Sequence, residues 1–169
     1  MSKSKIQFGI DSTKENGGYT FDQNFDSWSK SGFVATALSY NFDADELTPE
    51  MILDIKDNHN DILNNEFTSI GLYKIDESII SVDINFHFNS KSDAIKLGKI
   101  CNQISIGHFG EDGKYLECIP VGGNGENSNL ETLEKIRKEG TYFYEGSISD
   151  YNSPVWMGVK WKQAKLQQN

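Results

Sequence analysis

Within one stretch, "SIISVDINFHFNSKSDAIKLGKICNQISIGHF", the apolar pattern changes period from two to about 3.6 and back, which dictates a strand, a helix and a strand in succession. Val82, Ile84, Phe86 and Phe88 alternate with Ser81, Asp83, Asn85 and His87, the signature of a strand with one apolar and one polar face. Ser90, three residues before Asp93, then opens a helix in the manner of a capping box, and Ala94, Leu97, Gly98 and Cys101 form its apolar stripe. Gly98 on that stripe predicts a close approach of helix to sheet. "ISIGHF" returns to a strand.

The preceding segments repeat the alternation. "FVATALSYNF" is rich in β-branched and aromatic residues. "TPEMILDIKDNHNDILNNE" follows, with Thr48 as N-cap, Pro49 at the first helical position, and Ile52, Ile55, His59, Ile62 and Leu63 on one face. "TSIGLYKI" is a further strand that turns near Asp76 and Glu77. Residues 32 to 109 therefore read β-α-β-β-α-β. With right-handed crossovers, the simplest realisation is a ferredoxin-like antiparallel sheet carrying both helices on one face.

We expect a single α+β domain, mainly antiparallel, with an α/β core over residues 32–121 and extensions at both ends. The Asp112-Gly113 turn adds a hairpin with "KYLECIPV", which Pro120 places at a sheet edge. Residues 1–31 are expected to be irregular apart from a short strand at Ile6, Phe8 and Ile10, with Tyr19, Phe21, Phe25 and Trp28 fastening the loop. Residues 122–169 are expected to hold a glycine loop, a helix capped by Ser128 and Glu131, and closing strands in "TYFYEGSI" and "SPVWMGVKW".

Charge narrows the function. The 25 acidic and 16 basic residues give a net charge of −9, which opposes direct nucleic-acid binding and favours a basic protein partner. The start "MSKSKIQFGIDS" lacks the apolar core of a signal peptide, and no window approaches the ~20 apolar residues of a membrane span, so a cytoplasmic location without membrane contact is expected. Cys101 and Cys118 have no metal-binding spacing and are expected as buried free thiols. The run Asn41, Asp43, Asp45 lacks the glycine and the bidentate glutamate of a calcium loop, so no metal is expected.

Two constellations suggest enzymatic chemistry. "GGNGENS" supplies Gly122, Gly123 and Gly125 between a strand and a helix, where backbone N–H groups can cradle phosphate. The lysine of a Walker loop is missing, however, and Glu126 would repel the anion, so no cofactor is expected. His87 and His108, near the ends of two strands, form a candidate acid–base pair for a nucleotide- or nucleic-acid-processing enzyme, although Asn89 and Gly110 stand where two-histidine phosphoesterases carry hydroxyls. A binding role is preferred. Residues 45 to 66 hold seven acids against Lys56 alone, and Glu50, Asp54, Asp57 and Asp61 are the candidate contacts for a basic partner. Lys160, Lys162 and Lys165 with Trp156 and Trp161 read as a closing strand rather than a nucleic-acid site.

The pattern Asp83, Ala94, Leu97, Gly98, Asn102, Gln103, Ile106, Ile119, Pro120, Gly122, Gly123 and Gly125 resembles a domain recurring in proteins of phages and other mobile elements, over about residues 32–126. The resemblance implies a mobile-element setting and brings no catalytic residues. Asn102 and Gln103 are expected to satisfy backbone groups between the helix end and the glycine loop. Small size, acidity and that setting together point to an inhibitor of a host defence system, of the anti-CRISPR or anti-restriction type, with a toxin-neutralising immunity protein as the alternative.

Overall fold

The computed structural model describes residues 2–64 and 66–125. Its strands form a mainly antiparallel six-stranded sheet in the order β1-β3-β4-β2-β5-β6. These are β1 (Gly18–Phe21), β2 (Gly32–Asp43), β3 (Thr68–Lys74), β4 (Ile79–Phe88), β5 (Ser105–Phe109) and β6 (Tyr115–Pro120). The helices are α1 (Ser2–Asn16), α2 (Pro49–Asn58), the single turn α3 (Asn60–Leu63) and α4 (Lys91–Ile100). The chain is therefore α+β. It divides into two compact units, Met1–Ser29 with Ser39–Asn85 and Lys30–Leu38 with Phe86–Asn169, to both of which β2 and β4 contribute. The expected helix at Ser128 and the two closing strands lie outside the described residues.

In the first unit, the N-terminal segment departs from expectation. Ile6, Phe8 and Ile10 belong to helix α1, not to a strand. Alternation at three positions also fits a helix when the ends are four apart: Ile6, Gly9, Ile10 and Thr13 are buried on one face, while Phe8 points outward at 63% exposure. Gly9 lets the helix lie directly on the Tyr19 and Phe21 rings, since a Cβ there would come within 2.3 Å of Phe21 Cζ. Gly17, with φ 99°, ends the helix, and its N–H donates to Thr13 O at 2.8 Å. Residues 2–21 are thus regular, while 22–31 are turns with an isolated bridge between Phe21 and Ser27. Tyr19 and Phe21 sit in β1, paired with Leu72 and Ile70 of β3, and Phe21, Phe25 and Trp28 are buried as expected.

Thr48 caps α2 as read from sequence, accepting from Met51 N–H at 3.4 Å, with Pro49 behind it. The helix does not run through to residue 63. It breaks at His59, whose φ of −121° is non-helical and whose carbonyl accepts from Ile62 and Leu63 to start α3. A hydrogen bond of 2.8 Å between Tyr40 Oη and His59 Nε2 holds the break, with the imidazole buried. Asp76 makes the β3–β4 turn by accepting from the N–H groups of Ser78 and Ile79, which hold its carboxyl below the usual range.

In the second unit, Ser90 caps α4 by accepting from Asp93 N–H at 3.4 Å, and Ala94, Leu97 and Cys101 are fully buried. Burial pushes the Cys101 thiol up to about 12. Cys118, expected inside, is exposed on β6, whose residues are open on both faces apart from Ile119. Gly98 plays its predicted part: a Cβ there would come within 2.7 Å of Ile106 on β5. Asp112 and Gly113, at φ 58° and 71°, make the β5–β6 turn. Pro120 ends a strand that borders the sheet among the described residues.

Candidate functional site

The acidic candidates form one outer face. Ile52, Ile55, Ile62 and Leu63 turn inward, leaving Glu50, Asp54, Asp57 and Asp61 exposed on α2 and α3. Spacings of four and three residues align Glu50, Asp54 and Asp57 along one side of α2, and Asp61 follows on α3 beyond the break at His59. Glu50 is additionally paired with Lys3 of α1 at 3.2 Å. Lys56, half-buried, donates its ammonium to Leu63 O at 3.0 Å, and burial holds its amine below the usual lysine value. The single base of the segment thus closes the C-terminus of α3, while its charge also acts on Asp57.

The histidines do not converge. His108 stacks on Phe33, its cross-strand partner on β2, at 4.5 Å between ring centres, with Nδ1 3.6 Å from Glu117. His87 is buried and packs against Phe109 at 5.8 Å. Phe109 follows His108 directly on β5 and so projects from the opposite face of the sheet. The two imidazoles therefore face different sides of the sheet. Burial, reinforced by the Lys30 charge, holds the His87 pKa well below 6.5, so it is neutral at physiological pH.

The glycine loop is equally committed. Val121 N–H donates to Ile104 O, Gly123 N–H to Gln103 O and Gly125 N–H to Asn102 O, each at 2.9 Å. Asn124 N–H donates to Asn102 Oδ1 at 3.2 Å, and the Asn102 amide reaches back to Asn124 Oδ1. Three of the loop's donors, from Gly123, Asn124 and Gly125, thus point at Asn102 and Gln103 just past α4 and not at a ligand. Gly123 is required by contact, because a Cβ would lie 2.4 Å from Asn102 C and Gln103 O. Asn102, at φ 52°, turns the chain out of the helix, and Gln103 Nε2 donates to Cys101 O at 3.1 Å. Asn102 and Gln103 do what was expected of them, joining the helix end to the loop.

Sequence reasoning missed the polar row of β4. Ser81, Asn85 and His87 are as buried as the apolar face, and Ser39 and Ser81 both donate to Asp83 Oδ1, the former at 2.7 Å. Burial raises the Asp83 pKa, and the two hydroxyls oppose that rise. Asn85 Nδ2 donates to Ser69 Oγ at 3.3 Å, and Gly71 gives Asn85 room, since a Cβ there would meet its amide at 2.6 Å. Among the described residues no group of three or more His, Cys, Asp or Glu side chains is placed to hold a metal ion. No described helix is long and apolar enough to cross a membrane. Comparison with protein-family models, with curated proteins and with solved structures finds no match to the chain.

Proposed function

We propose that the chain is a small acidic accessory protein of a phage or other mobile element, acting in the host cytoplasm by binding a macromolecular partner with a basic surface. Inhibition of a host defence system, of the anti-CRISPR or anti-restriction type, is the role such chemistry suits. The observation that carries this reading is the outer face of α2 and α3, where Asp54, Asp57 and Asp61 are exposed while the apolar residues between them are buried. The apolar residues of these helices turn inward, so the carboxylates lie on a solvent-exposed face of one sign of charge, the kind a basic surface complements. Neither the separated histidines nor the occupied glycine loop supports the enzymatic alternative.

On this view the inner four strands are a split βαβ core of the ferredoxin-like kind. The sheet order β3-β4-β2-β5, the helices after β2 and β4, and the antiparallel β2–β5 pairing support it. Cross-strand proton contacts in antiparallel register between β3 and β4, and between β4 and β2, test that arrangement.

The functional test is charge reversal. A tagged chain carrying D54K, D57K and D61K should lose the protein that the wild-type chain retains from its host's cytoplasm, with the melting temperature little changed. Retention of the same partner by the triple variant would sink the proposal.

A further inference from the structure

The geometry points to a small-molecule site on the first unit, formed by α1 and the loop after β1, that takes an aromatic α-amino acid as its zwitterion. A groove of about 340 Å³ is lined there by Phe8, Tyr19 and Phe25, with Lys5 and Asp26 at its rim. That volume lies at the small end of the ~300–1,000 Å³ usual for ligand sites and leaves room for one ring system. Phe8 and Tyr19 meet edge to face at 5.9 Å, and Phe8 is 63% exposed, so its ring is accessible for stacking.

The rim supplies the charge. Lys5 Nζ and Asp26 Oδ1 are 2.7 Å apart, with about half of each side chain open to solvent at 46% and 56%. In a free amino acid the ammonium nitrogen and the nearer carboxylate oxygen are also held under about 3 Å apart by covalent geometry. Laid against the rim, the ligand's ammonium meets Asp26 and its carboxylate meets Lys5, giving four alternating charges, while the side chain covers the rings. A peptide-linked residue has lost one or both of those charges and matches only the floor.

Local backbone geometry holds this rim in place. Phe25 adopts φ 62°, an uncommon conformation for a bulky residue, inside a turn closed at both ends: Asp22 N–H donates to Asp26 O at 2.8 Å, and Asp22 Oδ1 accepts from Asp26 N–H at 3.0 Å. The turn seats the Phe25 ring beside Phe21 at 5.8 Å and presents the Asp26 carboxylate to Lys5. Gly9 seats α1 directly on the Tyr19 and Phe21 rings, because any side chain there would collide with them, and so fixes the helix beside Tyr19.

The test is an amide-shift titration of the full chain with L-tryptophan, N-acetyltryptophanamide and indole as probes. L-Tryptophan should give saturable shifts confined to residues around 4–9 and 19–27, with a Kd of about 1 mM. Affinity should fall about fivefold for N-acetyltryptophanamide and in the D26N and K5M variants, both exposed-site changes that leave the fold intact. Phe8→Ser, on the outer face of α1, should weaken all three probes. No saturable shift up to about 10 mM, saturation at other residues, or equal binding of L-tryptophan and N-acetyltryptophanamide would each overturn the inference.

Discussion

Burial of a neutral His87 should make the fold acid-sensitive in a calculable way. The unfolded chain protonates this imidazole near pH 6.5, whereas the folded chain, with its pKa held well below that value by burial and by Lys30, does not. The stability His87 permits is therefore fully present above pH 6.5 and is lost as pH falls below it. The loss is at most about 1.4 kcal/mol per pH unit, so no more than about 2 kcal/mol at pH 5. Asp83 works in the opposite direction, because its raised pKa makes the folded state take up a proton first as pH falls. Urea unfolding followed by tryptophan fluorescence at pH 7.5 and pH 5 would therefore show a net of several groups in the wild type. Comparison with His87→Phe removes everything shared by the two proteins. The wild type should lose more than the variant over that interval, by up to about 2 kcal/mol. If Phe fails to pack beside Phe109, His87→Gln provides the same neutral reference. Equal losses in wild type and variant, or an imidazole proton resonance that titrates near 6.5 in the folded chain, would refute the reasoning.

Replacing Asp83 by Asn keeps an acceptor for Ser39 and Ser81 while removing a charge that burial disfavours, so D83N should unfold at higher urea than wild type at pH 8, by about 1 kcal/mol, with the gain shrinking as pH falls. Gly123→Ala should destabilise by about 1–3 kcal/mol or more through backbone collision, and by more than Gly122→Ala, where φ is 89° but nothing lies within 4 Å. Equal melting shifts in the two glycine variants would deny the clasp between loop and helix. Association with the partner proposed above should slow steeply between about 50 and 200 mM salt while dissociation changes little, as measured by stopped flow.

The part of the fold legible in the sequence is the part where one period dominates. Ser90 and Thr48 marked their helices because a cap requires a particular side chain at a particular place, and Gly98 marked a close approach because no other residue fits against Ile106. The segment Ile6 to Ile10 was illegible for the opposite reason. Spaced by two and by four, its apolar residues satisfy strand and helix alike, and Gly9, which argues locally against a helix, is required by the rings of Tyr19 and Phe21 arriving from later in the chain. The break at His59 was hidden likewise, since its cause is Tyr40 on a different element. Cys118 shows the limit of residue type as a guide to burial: it continues an apolar strand, but that strand borders the sheet.

For the site, charge pattern and contact geometry carry different information. Alternation on β4 told that two faces differ, yet not that both are covered, because burial of Ser81, Asn85 and His87 is set by what packs over them. The same limit made His87 and His108 look like a pair: each lies near a strand end, and only pairing shows that Phe109, not His108, shares a face with His87. The acidic row on α2 and α3 escapes the ambiguity, since a carboxylate four residues from its like neighbour on a helix either finds a base or faces water. Lys3 takes Glu50, and Lys56 turns to a backbone carbonyl. Like charges at Asp54 and Asp57, three residues apart on α2, repel one another, and a basic partner is the kind of molecule that would relieve that repulsion.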